Sequence, residues 1–463
     1  MDYDVLVLGG GIIGSAVAYE LSKYNLNIAL IEKDYDIADD VAMVNTDIVY
    51  DGTECKDGLM AKLEMMGNNM MEEVTSKFNV PFIRTGSLVI AEDEESIKTI
   101  EDIYLRAKKR GIDNVNIIDK NQVYKIEPNL NTVVKKALYS KSVGIISPYD
   151  LAIAYAEVAF DNGVIFRLEE EVLDIQKLST GLKVTTNKNK FTCKVVVNTI
   201  PKDFYQIDNE KPYDKEESEI LTYMLLDNEY KNYFSNIVFS LKESGKGYSL
   251  PTFGGGLIAA SLTNDVIDFN TTLNVVSELV GDIDNENIKT MYHSKYYKDN
   301  IIIDDSDISK GYVKVIGKSY AAVTIAPAIG KLICESITNS LKSTIKKNFV
   351  DKRRDFYKFK ELSLEEKDQI IKLDKRYGKM VCMCNQITEG EIVDSIRRPL
   401  GARTIEGIKR RTGATFGNCQ GAYCLSKIVK ILSRETDKKL TDILKDSKNS
   451  KMLLGRIKEF KEM

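Results

Sequence analysis

Asp4-Val-Leu-Val-Leu-Gly-Gly-Gly-Ile-Ile-Gly14 lies at the start of the chain, and its reading decides the fold. Asp4 to Leu8 is short, apolar and rich in β-branched residues, as a buried parallel strand requires. Gly9, Gly11 and Gly14 follow as G-x-G-x-x-G. Ser15 to Leu21 suits a helix packed on a sheet, Asn27 to Ile31 reads as a second strand, and Glu32 closes it. The glycines serve three physical ends. Gly9 permits the tight turn, Gly11 the close approach of a pyrophosphate, and Gly14 the helix–strand contact. The helix N-terminus turns free N–H groups and a positive dipole end toward phosphates. Glu32 is placed to accept hydrogen bonds from an adenosine ribose and disfavours a 2′-phosphate there. Strand, triplet, helix, strand and acid in this order separate a dinucleotide site from a mere glycine-rich turn. The motif leaves FAD and NAD both open.

The whole chain has 463 residues, a length that suggests about three domains. With 65 Lys+Arg against 69 Asp+Glu the net charge is −4, which argues against nucleic acid as the main partner. Hydrophobic residues make up 43 %, too many for a disordered chain. No run approaches the ~18 apolar residues of a membrane span. Met1 leads almost directly into a core strand without a basic leader, so the expected location is cytoplasmic. In a reducing compartment clustered cysteines signal metal or redox chemistry. The one histidine, His293, rules out a histidine pair and is expected to be an ordinary surface or core residue.

Along the middle of the chain, Asp57 to Phe78 and Glu94 to Arg110 read as helices, the first with core-filling methionines. Leu151 to Phe160 and Ala326 to Ser336 read as two more. Between them lie strand-like runs at 86–91, 164–167, 171–175, 182–186, 194–198, 221–226, 236–241, 256–260 and 310–316. The interleaving fits a Rossmann-type sheet interrupted by a second domain. Lys342 to Lys360, with eight basic and two acidic residues, reads as a solvated linker or helix face.

The glycine triplet, Glu32-Lys33, Gly86-Ser-Leu, Glu127-Pro128, Gly144-Ile-Ile-Ser-Pro-Tyr149 and Ala326-Pro-Ala328 occur in that order. This succession resembles the FAD-dependent oxidoreductases of the glycerol-3-phosphate dehydrogenase / D-amino-acid oxidase group, over nearly the whole chain. The resemblance implies FAD as the nucleotide, held by Gly9, Gly11, Gly14, Glu32 and Lys33, with the Val172 backbone near the adenine. It also implies that a hydride passes from a C–H bearing a hydroxyl or amine to the flavin.

The chain departs from the family pattern mainly where the flavin ring and substrate would sit. Asp40 to Gly52 keeps Asn45 and Gly52 but lacks the expected glycines and histidine. Asn198-Thr-Ile-Pro201 replaces Asn-Ala-Ala-Gly, and Glu219-Ile-Leu-Thr222 replaces Arg-Lys-Gly-Glu. Ser294-Lys-Tyr296 stands for an arginine-bearing segment and Ser319-Tyr-Ala-Ala322 for a Ser-Pro-Gly turn. Asp40 and Asp47 add negative charge, unfavourable near a pyrophosphate unless turned outward. No catalytic residue is assigned from sequence.

Cys382-Met-Cys384 and Cys419-Gln-Gly-Ala-Tyr-Cys424 form a C-x-C and a C-x4-C separated by 34 residues. Thr388-Glu-Gly-Glu391 is a capping box for a helix ended by Pro399. A second helix is expected from Arg403-Thr404 to Gly413, and a third from Cys424 to about Leu432. Four thiolates suit zinc or a [2Fe–2S] cluster, and the C-x-C is unusual for zinc. With Arg-Pro-Leu-Gly-Ala-Arg403 and Thr412-Gly-Ala-Thr-Phe-Gly-Asn-Cys419, the layout resembles the bacterioferritin-associated ferredoxin-like [2Fe–2S] domain. That resemblance makes Cys382, Cys384, Cys419 and Cys424 the ligands. Cys55, Cys193 and Cys334 are expected to be ordinary thiols.

The expected fold class is α/β: a Rossmann-type FAD-binding domain with an inserted α+β substrate domain and a small, mainly helical iron–sulfur domain. Expected boundaries are 1–75 with 142–202 and 308–342 for FAD, and 76–141 with 203–307 for the cap. A linker follows at 343–377, then 378–435 for the [2Fe–2S] cluster and 436–463 as a helical tail. The expected function is an FAD-dependent dehydrogenase subunit. It oxidises a small hydroxy or amino acid, or glycerol 3-phosphate, and passes electrons through the cluster to a redox partner protein or companion subunit. The competing expectation is a non-catalytic electron-transfer or scaffold subunit of a hetero-oligomeric dehydrogenase. Peripheral membrane association through a partner fits either expectation.

Overall fold

The computed structural model describes all residues except 39–46, 201–204, 209–217, 227, 243–245, 418 and 456–463. Its first sheet has the order β10 (Val172–Lys177), β11 (Leu182–Thr186), β12 (Lys190–Asn198), β1 (Tyr3–Leu8), β2 (Ile28–Ile31) and β9 (Ile165–Arg167). β19 (Tyr312–Ile316) adds to β12, and β18 (Ile302–Asp304) adds to β19. β1 pairs in parallel with both β2 and β12, and Val5, Leu6, Val7 and Leu8 are all fully buried. Such two-sided burial explains why this strand reads as an unbroken apolar run.

Helices α1 (Ile12–Ser22), α2 (Gly58–Phe78), α5 (Pro148–Asp161) and α7 (Ala322–Leu341) pack with this sheet. Tyr19 of α1 meets Phe78 of α2 at 5.3 Å and Tyr155 of α5 at 5.2 Å between ring centres, which ties three helices into one core. α2 crosses α7 so closely that a Cβ on Gly67 would lie 1.8 Å from the Thr324 carbonyl oxygen. Met60 and Met71 of α2 are buried in this core.

The second sheet runs β17 (Ile288–Tyr297), β13 (Ser218–Leu226), β16 (Leu257–Thr263), β15 (Lys246–Pro251), β14 (Ile237–Ser240), β5 (Ser87–Ala91), β7 (Lys136–Ser140) and β6 (Val115–Asp119). It is antiparallel except where β14 meets β5. α6 (Phe269–Val280) packs on β15 and β16, while α3 (Glu94–Lys109) and α4 (Lys120–Ile126) pack on the β5–β7–β6 end. β3 (Ile48–Val49), β8 (Gly144–Ile146) and β4 (Phe82–Ile83) form a separate small sheet. β15, β17 and α6 escaped the sequence reading. β17 is mostly half-buried and strings tyrosines and lysines together, so it shows no apolar run.

The carboxyl module has its own core, built by the ribbon β20 (Met380–Cys382) and β21 (Ile387–Thr388) with α9 (Glu389–Arg397), α10 (Ile405–Thr412) and α11 (Leu425–Thr436). Thr388 closes the expected capping box on Glu391. Before it, 343–377 contains α8 (Leu364–Leu373) and a strap laid on α5. Three expectations need correction. Arg353 in that basic stretch is not solvated: it bonds Glu157 and Asp150 at 2.7 Å each, because α5 presents buried carboxylates to it. The tail after Thr436 is not helical among the described residues. It makes a 3-10 turn at Leu440–Asp442 and an antiparallel bridge from Leu444 to Lys451, since Ile443 is drawn into the module's core. The cap boundary expected at 307 falls too late, because β18 already belongs to the first sheet.

Candidate functional site

Three places carry the chemistry. The first is the turn between β1 and α1. Gly9 adopts φ +97°, and its N–H donates to the Ile31 carbonyl at 2.9 Å. A Cβ on Gly14 would stand 2.0 Å from the Gly9 oxygen, so only glycine closes this turn. Gly11 caps α1 with extended backbone and no side-chain bond, which leaves the helix end open toward a phosphate. Glu32 turns back to the turn: its carboxylate accepts from Gly10 N–H at 2.6 Å and from Asp34 N–H at 2.9 Å. Gly9, Gly11, Gly14 and Glu32 therefore lie together at this one turn. Lys33 is exposed, and Val172 is buried at the start of β10, two residues past Glu170, whose N–H bonds the Glu32 carbonyl.

Thr199 is a contributor that sequence reasoning missed. Its hydroxyl donates to the Leu8 carbonyl at 2.7 Å and would stand 2.9 Å from a Cβ on Gly9 and 3.0 Å from one on Gly14. Of the departures from the family pattern, 40–46 and Pro201 lie outside the described residues. Asp47 is half-buried with φ +58°, and burial raises its carboxyl to about 7.

The second place is a cavity of about 500 Å³ between the second sheet and the start of α7. Tyr50, Lys56, Lys246, Tyr248, Tyr296 and Tyr320 are among its walls. Tyr296 stacks on Tyr320 at 5.0 Å with planes 5° apart, and Tyr50 meets Tyr320 edge-on at 4.8 Å. Among the described residues the Tyr248 hydroxyl is buried without a hydrogen-bond partner, a group that a ligand in the cavity would satisfy. The loop ahead of α2 is held by Arg110, which donates to the carbonyls of Cys55 at 2.6 Å and Lys56 at 2.9 Å. His293 lies away from the cavity walls, exposed on β17, with Nδ1 2.9 Å from the Thr222 hydroxyl. Lys295 is exposed on the same strand, near the Tyr297 ring. In the sequence only the departures from the family pattern at Tyr296 and at Ser319-Tyr320 pointed here, because the walls come from distant segments.

The third place is the carboxyl module. Cys424 lies against Cys382 and near Cys419, and the Cys384 thiol bonds Cys419. Backbone N–H of Tyr423, then Cys384, lowers the Cys419 thiol below its ordinary value, while burial, then Cys382, raises Cys424 to about 11. A Cβ on Gly417 would stand 2.2 Å from the Cys384 Cβ. The thiols are thus drawn into neighbouring pairs, though no set of three or more His, Cys, Asp or Glu closes on one point among the described residues. Cys55, Cys193 and Cys334 are buried apart from them.

Ion pairs bind this module to the nucleotide side. Asp36, four residues beyond Glu32, takes both Arg411 terminal nitrogens of α10 at 2.6 and 2.7 Å, with each side chain 4 % exposed. Glu157 of α5 accepts from Arg398 at 2.9 Å and from Arg353 at 2.7 Å. Burial alone would push the Glu157 carboxyl up, but the two guanidiniums hold it below its ordinary value.

The family model described as FAD dependent oxidoreductase matches residues 4–336, and the BFD-like [2Fe-2S] binding domain matches 380–434. Glycerol 3-phosphate dehydrogenase of Caloramator mitchellensis is 37 % identical, over 98 % of this chain and 99 % of that one. Among solved structures, L-α-glycerophosphate oxidase of Mycoplasma pneumoniae with FAD bound has a TM-score of 0.65 at 22 % identity, covering 76 % of this chain and 98 % of its own. Glycine oxidase of Geobacillus kaustophilus has a TM-score of 0.63 at 19 % identity, covering 77 % and 99 %. These two share the fold.

Proposed function

This chain belongs to the FAD-dependent oxidoreductases, and from that premise we propose that it oxidises glycerol 3-phosphate, or a small hydroxy or amino acid, in the cavity walled by Tyr320 and Tyr248. It is a flavoprotein with an added [2Fe–2S] domain, similar to glycerol-3-phosphate dehydrogenase. What carries the substrate reading is the likeness to that dehydrogenase along the whole chain, both modules included. When bound, FAD supplies a hydride acceptor and the cluster a one-electron carrier.

Gly9, Gly11 and Gly14 would hold the pyrophosphate and Glu32 the ribose, while Lys33 and the Val172 backbone would border the adenosine. Cys382, Cys384, Cys419 and Cys424 would ligate the cluster. Lys56 and Lys246 stand at the cavity without an ion pair among the described residues, and they suit an anionic substrate group. The Tyr248 hydroxyl would orient the substrate through the hydrogen bond it lacks. The Asp36–Arg411 pair supports an electron route between the modules, because it anchors the cysteine module to the loop that follows Glu32. A redox protein or companion subunit would take the electrons onward. Among the described residues no helix is long and apolar enough to cross a membrane.

Anaerobic addition of glycerol 3-phosphate to the purified protein tests the reading. The visible flavin absorption should bleach, and a reduced-cluster signal should appear in electron paramagnetic resonance. A flavin that stays oxidised with glycerol 3-phosphate, L-2-hydroxyglutarate, glycine and L-proline would defeat it. Bleaching without a cluster signal would defeat the electron route alone.

A further inference from the structure

Tyr320 lines the cavity just ahead of α7, and its hydroxyl lies 3.2 Å from Oε1 of Glu64 in the middle of α2. Glu64 is 1 % exposed, and among the described residues no Lys, Arg or His forms an ion pair with it. Its neighbours are acidic or neutral. Asp51 and Glu54 come from the loop ahead of α2, and Cys55 adds a thiol beside the Tyr320 hydroxyl. Arg110 reaches this loop from the end of α3, but its guanidinium is engaged by the carbonyls of Cys55 and Lys56. Asp51 is itself occupied, accepting from the Ser140 hydroxyl and the Thr53 N–H. A buried carboxyl without a cation is costly as an anion, so packing alone gives no reason for it here. It is also the kind of group that takes up a proton readily. The one histidine of the chain does not line the cavity.

We propose that Tyr320 and Glu64 are the proton-accepting pair for alcohol oxidation in this cavity. The substrate hydroxyl gives its proton to the Tyr320 oxygen as the Tyr320 proton moves to the Glu64 carboxylate. The substrate C–H bond breaks with its electron pair, which leaves as hydride to bound FAD, and the C–O bond becomes C=O. One proton and one hydride are accounted for, and no further oxidant is needed. Tyr320 is the residue that touches the substrate; Glu64 acts through it. The inference rests on the reading of the cavity as a hydroxy-substrate site.

Burial, reinforced by Asp51 and Glu54 against the bond from Tyr320, raises the Glu64 carboxyl to about 8. Flavin reduction by glycerol 3-phosphate in wild type should therefore rise with pH and level off above about 8. E64Q should lower the rate about a hundredfold and abolish that rise. Y320F should behave alike, and E64D should recover part of the rate. A readout without turnover is the thermal midpoint against pH. A folded-state value raised above the unfolded one makes wild type lose stability as pH climbs from about 4.5 toward 8, a loss that E64Q lacks. Wild type should thus fall behind E64Q on the alkaline side. An E64Q protein with an unchanged rate and pH profile overturns the relay alone, and so does a midpoint difference independent of pH. Wild type that no hydroxy substrate reduces, with the midpoint difference intact, overturns the reading of the cavity instead, and the relay's role as an alcohol base with it.

Discussion

The nucleotide turn and the tyrosine cavity are built by opposite routes. The turn uses mainly one short stretch, Leu8 to Glu32, with Thr199 added from the end of the adjacent strand β12. The cavity draws its walls from 50–60, 239–241, 246–248, 262, 296–300 and 319–320, segments far apart in the chain. A motif of spaced glycines can specify the first, because backbone geometry dictates which residues fit. Nothing local can specify the second, because its residues meet only after the sheets have packed. The carboxyl module stands between them: the spacing within each cysteine pair is local, and the module's placement on α5 is not.

Substitutions ordered by expected effect sharpen that contrast. G14V should be the most damaging, since its Cβ alone would overlap the Gly9 oxygen. The purified variant should carry no flavin by absorbance, and near-normal flavin content would break the claim that this turn tolerates glycine only. C424S should strip most iron and the cluster's visible absorption while leaving flavin in place; loss of both together would mean that the modules do not fold independently.

E157A leaves Arg353 and Arg398 buried without their shared carboxylate, and it should cost about 3–5 kcal/mol in denaturant unfolding. The Glu157 carboxyl is held below its ordinary value, so its contribution is present above about pH 4.5 and is lost as pH falls through the folded-state value. The gap between wild type and E157A should accordingly narrow in acid; a gap constant with pH would show that packing, not charge, binds the module. D368A removes only an exposed pair with Lys372 on α8 and should change stability by about 0.5 kcal/mol or less. A larger loss there would mean that α8 makes a contact the ion pair conceals.

The aromatic and charged residues show where sequence reading stopped. Gly9, Gly11, Gly14 and Glu32 were visible because they occupy fixed intervals along one strand–turn–helix. The capping box at Thr388 was visible for the same reason. Sequence reading passed over Glu64, and only the approach of α7 places it under Tyr320. Arg353 looked solvated within a basic run, and only α5 shows it to be paired. β17 was missed because most of its residues are half-buried and its sequence shows no apolar–polar alternation.

By itself, then, the sequence determined the glycine turn, the parallel strand that feeds it, and the spacing within each pair of cysteines, all set by backbone geometry over short intervals. Tertiary structure alone decided which carboxyls lose water, which guanidiniums meet them, and which tyrosines share a cavity. Desolvation and pairing depend on what arrives from elsewhere in the chain, and that is fixed only when helices and sheets pack.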